Sequence, residues 1–326
     1  MLVLFALEVS VLGQGNLYVD PSFSSSGKCL GYIECVPELH DTLYTRRDSL
    51  KVVVYSLENR KKEVIYKSLF RGNAKVPAVA YHPDMLFSLL WLSDSLLLFS
   101  DDGFSLKIFN LNTGSISVIK KLHEYYWKEN VGIYKMFRIK ENKIGLIDGI
   151  LGGIYIFDMK EGKIKKIAGD GYPFSISRVI ETEDAFFFAV NGETLFRFLK
   201  EEEKKEAIFV KGEIKSVYPV SIHKDTLLFY GGYPSKKELY YLKSSGKAWG
   251  KYSGIWKVKV WNPETSVIES VPWYSDLQKK GLYEIVAWTP DSSFCVVRWE
   301  DESLWKERLL HQTVCRPERL CLIKIK

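Results

Sequence analysis

A polar hairpin turn between two apolar strands recurs six times in this 326-residue chain. Each copy extends backwards to two further short strands. The last copy runs out of sequence one strand early, while the first dozen residues supply an apolar segment that no other copy uses. Together these observations predict an all-β fold, a six-bladed β-propeller whose ring is closed by an N-terminal strand completing the last blade. The whole of residues 1–326 is expected to be one such domain.

The hairpins fall at residues 51–66 (KVVVYSLENRKKEVIY), 106–120, 153–168, 194–210 and 256–271, with a truncated copy at 319–326. The inner strand pairs that precede them are 17–23 with 29–35, 87–92 with 95–100, 133–139 with 143–148, 176–181 with 185–190, 216–222 with 226–230, and 283–289 with 294–299. All are short and rich in β-branched and aromatic residues. Turn residues such as Ser93-Asp94, Glu141-Asn142, Lys224-Asp225 and Pro290-Asp291 separate them. The sixth unit lacks an outer strand, and an open ring would leave an unpaired edge. Residues 1–12 are therefore expected to close it. As a secretory leader this segment has no basic start, and Glu8 interrupts its apolar stretch.

Composition narrows the function. The net charge of +6 is modest, and lysines alternate with glutamates at 160–166 and 200–206 rather than forming a basic stripe, so a nucleic-acid partner is not expected. No segment is apolar for long enough to span a membrane. The cysteines Cys29, Cys35, Cys295, Cys315 and Cys321 have no zinc-ligand spacing, and the histidines are scattered, so neither a metal nor a cofactor is expected. Cys295 and Cys321 fall on strands expected to be neighbours. They are read as buried free thiols, with a cross-strand disulfide as the alternative.

Two segments carry a further phrase at the turn between the first two strands of a unit: DPSFSSSGKCLGY at 20–32 and AWTPDSSF at 287–294. These resemble the P-x-F-S-P-D-G-K-x-I-A-Y repeat of TolB-like six-bladed propellers, which are related to the propeller half of prolyl oligopeptidase-like enzymes. The match covers the first and last blades. Residues 100–114, from Ser100-Asp101-Asp102-Gly103 onwards, also look like a WD-repeat blade. The TolB-like resemblance implies an extracytoplasmic location, periplasmic or secreted. The missing basic leader argues for the cytoplasm instead.

Strand direction alternates within a blade, so loops sort onto two faces. The long insertions, residues 36–49, 231–254 and 300–318, all fall on one face, and the third has helical spacing from Asp301 to Gln312. Loops on that face also carry His82, Tyr126, Trp127, Tyr172, Trp273 and Tyr274, and the second insertion adds Tyr241 and Trp249. Aromatic rings of this kind suit peptide side chains and sugars. Asp20, Arg178 and Glu284 are placed on inner strands where a channel would be lined. No GxSxG elbow or triad-bearing domain is present. The expected function is a non-enzymatic binding or scaffold propeller taking a peptide, protein or glycan on the insertion-bearing face. The alternative is a carbohydrate- or peptide-active hydrolase or lyase at the channel mouth.

Overall fold

The structure is a computed structural model that describes residues 8–37, 47–71, 87–101, 105–119, 133–140, 142–148, 153–168, 180–182, 184–190, 194–202, 204–208, 216–223, 226–232, 254–259, 269–270, 282–291, 293–300 and 318–324. These residues divide into two compact units, 1–173 with 285–326, and 174–284.

In the first unit, β1 (Glu8–Phe23), β2 (Cys29–Pro37), β3 (Arg47–Ser56) and β4 (Lys61–Arg71) run antiparallel in sequence order. β5 (Ser88–Trp91), β6 (Leu96–Ser100), β7 (Leu106–Asn110) and β8 (Ser115–Ile119) form a four-stranded meander. β9 (Ile133–Lys140), β10 (Lys143–Asp148), β11 (Ile154–Asp158) and β12 (Lys163–Ala168) form another. In the second unit, β13 (Ile180–Glu181), β14 (Ala185–Val190), β15 (Thr194–Leu199) and β16 (Lys204–Ile208) make one sheet. β17 (Ser216–His223), β18 (Thr226–Gly232), β19 (Gly254–Lys259) and β20 (Glu269–Ser270) make the next, with β17 against β13, β14 and β15. The chain ends in β21 (Leu282–Trp288), β22 (Phe294–Glu300) and β23 (Glu318–Lys324).

β1 joins the two ends of the chain. Its first half pairs with β23 from Glu8↔Lys324 to Asn16↔Glu318, and its second half pairs with β2 from Leu17↔Cys35 to Phe23↔Leu30. The result is a seven-stranded sheet in the order β21-β22-β23-β1-β2-β3-β4. The strand expected at 1–12 is thus longer and continuous with the inner strand that follows it; residues 1–7 lie outside the described residues.

Within the first unit the sheets stack face to face, and strand alternation divides their side chains between two cores. Val52, Val54, Ile33 and Leu50 of the first sheet meet Leu89, Trp91, Leu97 and Phe99 of the second. Leu98 and Leu106, pointing the other way, meet Met136, Ile144, Leu146 and Phe157 of the third. On the opposite side of the first sheet Leu30, Tyr32 and Val53 meet Val296, Leu320 and Leu322. Trp91 also donates its indole Nε1–H to the Ser22 carbonyl (3.0 Å), so a polar bond and an apolar contact join the same two sheets. Spacing is tight enough to dictate residue size: a Cβ on Gly145 would fall 1.9 Å from the ring of its cross-strand partner Phe137.

One expectation needs correction. The first insertion is shorter than 36–49, because the β2–β3 ladder continues through Val36↔Ser49 to Pro37↔Asp48. The strands around the other two insertions run to Gly231↔Gly254 and Glu300↔Glu318, and residues 233–253 and 301–317, including the helix expected from 301, lie outside the described residues. Cys295 and Cys321 are both free thiols. Cys295 faces Ile323 and Cys321 faces Val297, so the two cysteines are diagonal rather than opposite. Diagonal strand neighbours lie about 7–8 Å apart, beyond the reach of a relaxed disulfide. Burial pushes the Cys295 thiol up to about 12 and that of Cys321 to about 11, keeping both protonated.

Candidate functional site

The inner strands of three successive sheets converge on one carboxylate. The β1–β2 register slips between Val19 and Ser22, and at this bulge Asp20 takes a left-handed backbone (φ 51°). Aspartate tolerates that conformation better than most residues, and a bulge re-aims the side chain it carries. Asp20 Oδ2 accepts from the Ser88 hydroxyl (2.7 Å) and from the backbone N–H of Leu89 (3.1 Å), both on β5. Asp20 Oδ1 accepts from the Lys135 ammonium on β9. Ser88 completes the set by accepting the Met136 N–H at 2.9 Å. The carboxylate is 8% exposed and the lysine 16%. Charge-assisted bonds of this sort are the strong ones, and each is needed here because an unpaired buried charge would be costly.

Chemically the cluster is closed. Both oxygens of Asp20 are engaged, and Ser88, which is fully buried, uses its hydroxyl as donor and acceptor at once. The groups hold β1, β5 and β9 in register with one another. Through these bonds the Ser88 hydroxyl ties β1 to β9.

A second cluster lies further out between the first and second sheets. The Tyr66 hydroxyl on β4 donates to Asp101 Oδ2 (3.0 Å), and Lys107 on β7 donates to both Asp101 Oδ1 and the Tyr66 oxygen (3.0 Å to the latter). The Lys107 ammonium also sits 5.0 Å from the centre of the Tyr66 ring. Burial opposes the charge on Lys107, but the bonds to Asp101 and Tyr66 outweigh it and raise its pKa. On the first sheet's other face Glu34 accepts from Asn16 Nδ2 (2.6 Å) and Lys62 Nζ (3.1 Å).

The turns at one end of these sheets are also linked. Asp94, in the turn between β5 and β6, accepts the Ser26 N–H from the β1–β2 turn at 2.8 Å. Gly27 in the same turn has φ 74°, and a Cβ there would meet Pro290 of the β21–β22 turn at 2.9 Å. The turns of the segments 20–32 and 287–294 are therefore neighbours. Asp291 serves that turn locally: the Ser293 N–H, with hydroxyls of Thr289 and Ser293, draws its pKa down to about 2.

Of the residues expected at the site, His82, Tyr126, Trp127, Tyr172, Arg178, Tyr241, Trp249, Trp273 and Tyr274 lie outside the described residues, and Glu284 belongs to β21. Trp288, the last residue of β21, is half-buried, whereas Trp91 of β5 is buried. Ser88 and Lys135 were not singled out in the sequence. Their signal was a polar residue interrupting an apolar inner strand, in FSLLW and IYKMF. Among the described residues no group of three or more His, Cys, Asp or Glu is placed to hold a metal ion, and no helix is long and apolar enough to cross a membrane.

No protein-family model matches the chain, and no curated protein matches it. Solved structures do. A luciferin-regenerating enzyme superposes with a TM-score of 0.54 at 10% identity, over 98% of this chain and 96% of that one. Virginiamycin B lyase from Staphylococcus aureus gives 0.49 at 12% identity (98% and 100% covered), and the WD40 repeats of RRP9 give 0.49 at 9% (94% and 79%). At such identities likeness speaks for fold and leaves activity aside. The four-stranded antiparallel sheets, the face-to-face packing within the first unit and the likeness in fold to the propeller-type structure that superposes at 0.54 lead to one conclusion: the chain is a β-propeller.

Proposed function

We propose that this chain is a non-enzymatic binding propeller of six blades, TolB-like in its turn phrase, with the first half of β1 closing the ring on the last blade. It presents the insertion-bearing face, with Trp127, Trp249 and Trp273, to a peptide, protein or glycan, and works outside the cytoplasm. The observation that supports binding over catalysis is the closed state of the Asp20, Ser88 and Lys135 cluster, whose polar atoms are committed to holding strands together. In this reading the inner strands form a rigid support and recognition belongs to the loops.

The hydrolase or lyase reading draws on the same residue. Asp20 is held in a left-handed backbone, and conformations of this kind recur at active sites. One experiment separates the two. Purified protein is screened on glycan and peptide arrays, and the strongest ligands are titrated against wild type, Trp127→Ala, Trp249→Ala, Trp273→Ala and Asp20→Asn while the ligand is followed for cleavage by mass spectrometry. The binding reading expects intact ligand and a loss of about 1–3 kcal/mol in at least one tryptophan variant with unchanged circular dichroism. Cleavage that disappears in Asp20→Asn, with that variant still folded, would establish the enzyme instead.

A further inference from the structure

The outer strands of the sheets differ in one property that bears on association. β4 carries Lys61, Lys62, Glu63 and Lys67; β12 carries Lys163, Lys165 and Lys166; β16 carries Lys204, Lys205 and Glu206. Charges on a sheet edge keep it from pairing with another strand, and lysine is the usual choice. β8, the terminal strand of its sheet, reads Ser-Ile-Ser-Val-Ile and has no charge at all. Ser115 to Val118 are exposed, with Ile116 at 41% and Val118 at 50%. It contains no proline, its pairing with β7 shows no bulge, and no described strand covers its outer edge.

We infer that β8 is a self-association edge, pairing antiparallel with β8 of a second copy of this chain about a two-fold axis at Ser117, so that two four-stranded sheets become one of eight strands. Register argues for a second copy over an unrelated strand. In that arrangement Ile116 faces Val118 of the partner, Val118 faces the partner's Ile116, and Ser117 faces its own counterpart. Apolar β-branched residues then meet across the strands on one face, the favoured kind of cross-strand pair. An isologous contact requires such self-complementarity. The same operation on β12 would set lysine beside lysine, and on β16 it would set Glu206 against its own counterpart. A neutral strand offers no charge by which a differently charged partner would be chosen. Five residues span only about 17 Å of ladder, far less contact than a tight dimer needs, so the pairing is weak and concentration-dependent.

Sedimentation equilibrium of the full chain, combined with hydrogen exchange at low and high protein concentration, tests this. Wild type is expected to dimerise in the range of tens to hundreds of micromolar, on the order of −5 to −6 kcal/mol. Amides of residues 115–119 should gain protection as it does. Ser117→Lys and Ser117→Glu each place like charges face to face and should weaken the dimer at least about fivefold. Mixed together, the two variants should associate one to one, recovering wild-type affinity or better. Ser117 is exposed, so both variants should fold, with circular dichroism and thermal midpoints matching wild type. A chain that stays monomeric to about 1 mM, a Ser117→Lys variant that dimerises like wild type, or variants that do not cross-associate would each overturn the inference. So would protection of 115–119 that appears only on adding an unrelated β-strand peptide.

Discussion

Two clusters of the first unit use the same ingredients, a carboxylate, a hydroxyl and a lysine, yet they are built to different standards. The Asp20 cluster draws one group from each of β1, β5 and β9, adds two backbone N–H donors, and rests on a bulge and a left-handed residue. The Asp101 cluster joins β4 to its neighbouring sheet through one tyrosine, and its lysine lies only six residues beyond its carboxylate. A tie across three sheets is long-range in sequence and holds strands that share no ladder. A tie across two sheets, half supplied from one of them, mostly adds to contacts the apolar core already makes. The difference teaches where polar bonds matter in stacked sheets: at the inner strands, where several sheets must agree on one register.

The comparison breaks most readily at Asp20. Removing its carboxylate in Asp20→Ala leaves the Lys135 charge inside with Ser88 and should cost about 3–5 kcal/mol in denaturant unfolding. Asp20→Gly loses the same bonds but relieves the left-handed backbone, and should be milder than Asp20→Ala by about 1 kcal/mol. Equal costs for the two would show that φ at this position carries no strain.

Asp101→Ala should cost less, about 1–3 kcal/mol, because Lys107 keeps the Tyr66 hydroxyl as a partner. A cost matching Asp20→Ala would remove the distinction between the two clusters. Tyr66→Phe, which deletes one hydroxyl and keeps the ring under Lys107, should cost about 0.5–1.5 kcal/mol.

The smallest effect is a pH dependence. The pKa of Lys107 is raised above its ordinary 10.5 in the folded protein. Its stabilising contribution is therefore complete below 10.5 and is lost as pH rises through the folded value. Stability measured from pH 9 to about 12 should fall less steeply in Lys107→Met than in wild type. Identical slopes would mean that the ammonium adds nothing beyond the packing of its stem.

The hairpins at 51–66, 106–120, 153–168 and 194–210 were legible because a two-residue alternation and polar turns, bearing Gly or Asn in the first three and a Lys-Glu run in the fourth, are local signals, and the observed strands fall on them. Of the hairpin at 256–271 only 256–259 and 269–270 are among the described residues. Ladder ends were missed at 36–49, since Val36, Pro37, Asp48 and Ser49 have no alternation that marks them as paired; only their partner across the sheet decides it. Asp20 was recognised as an inner-strand carboxylate, but its partners were invisible. Ser88 and Lys135 lie 68 and 115 residues away in sequence and carry no motif.

By itself the sequence determined the all-β class, the rhythm of strands and the sites of the turns, because each depends on the φ/ψ preferences and alternation of a few consecutive residues. Tertiary structure alone decided that β1 serves both β23 and β2, that Leu97 and Leu98 enter different cores, and that one aspartate ties three sheets. Those outcomes rest on which distant surfaces meet, and the free energy of that meeting is shared among residues that carry no local mark of one another.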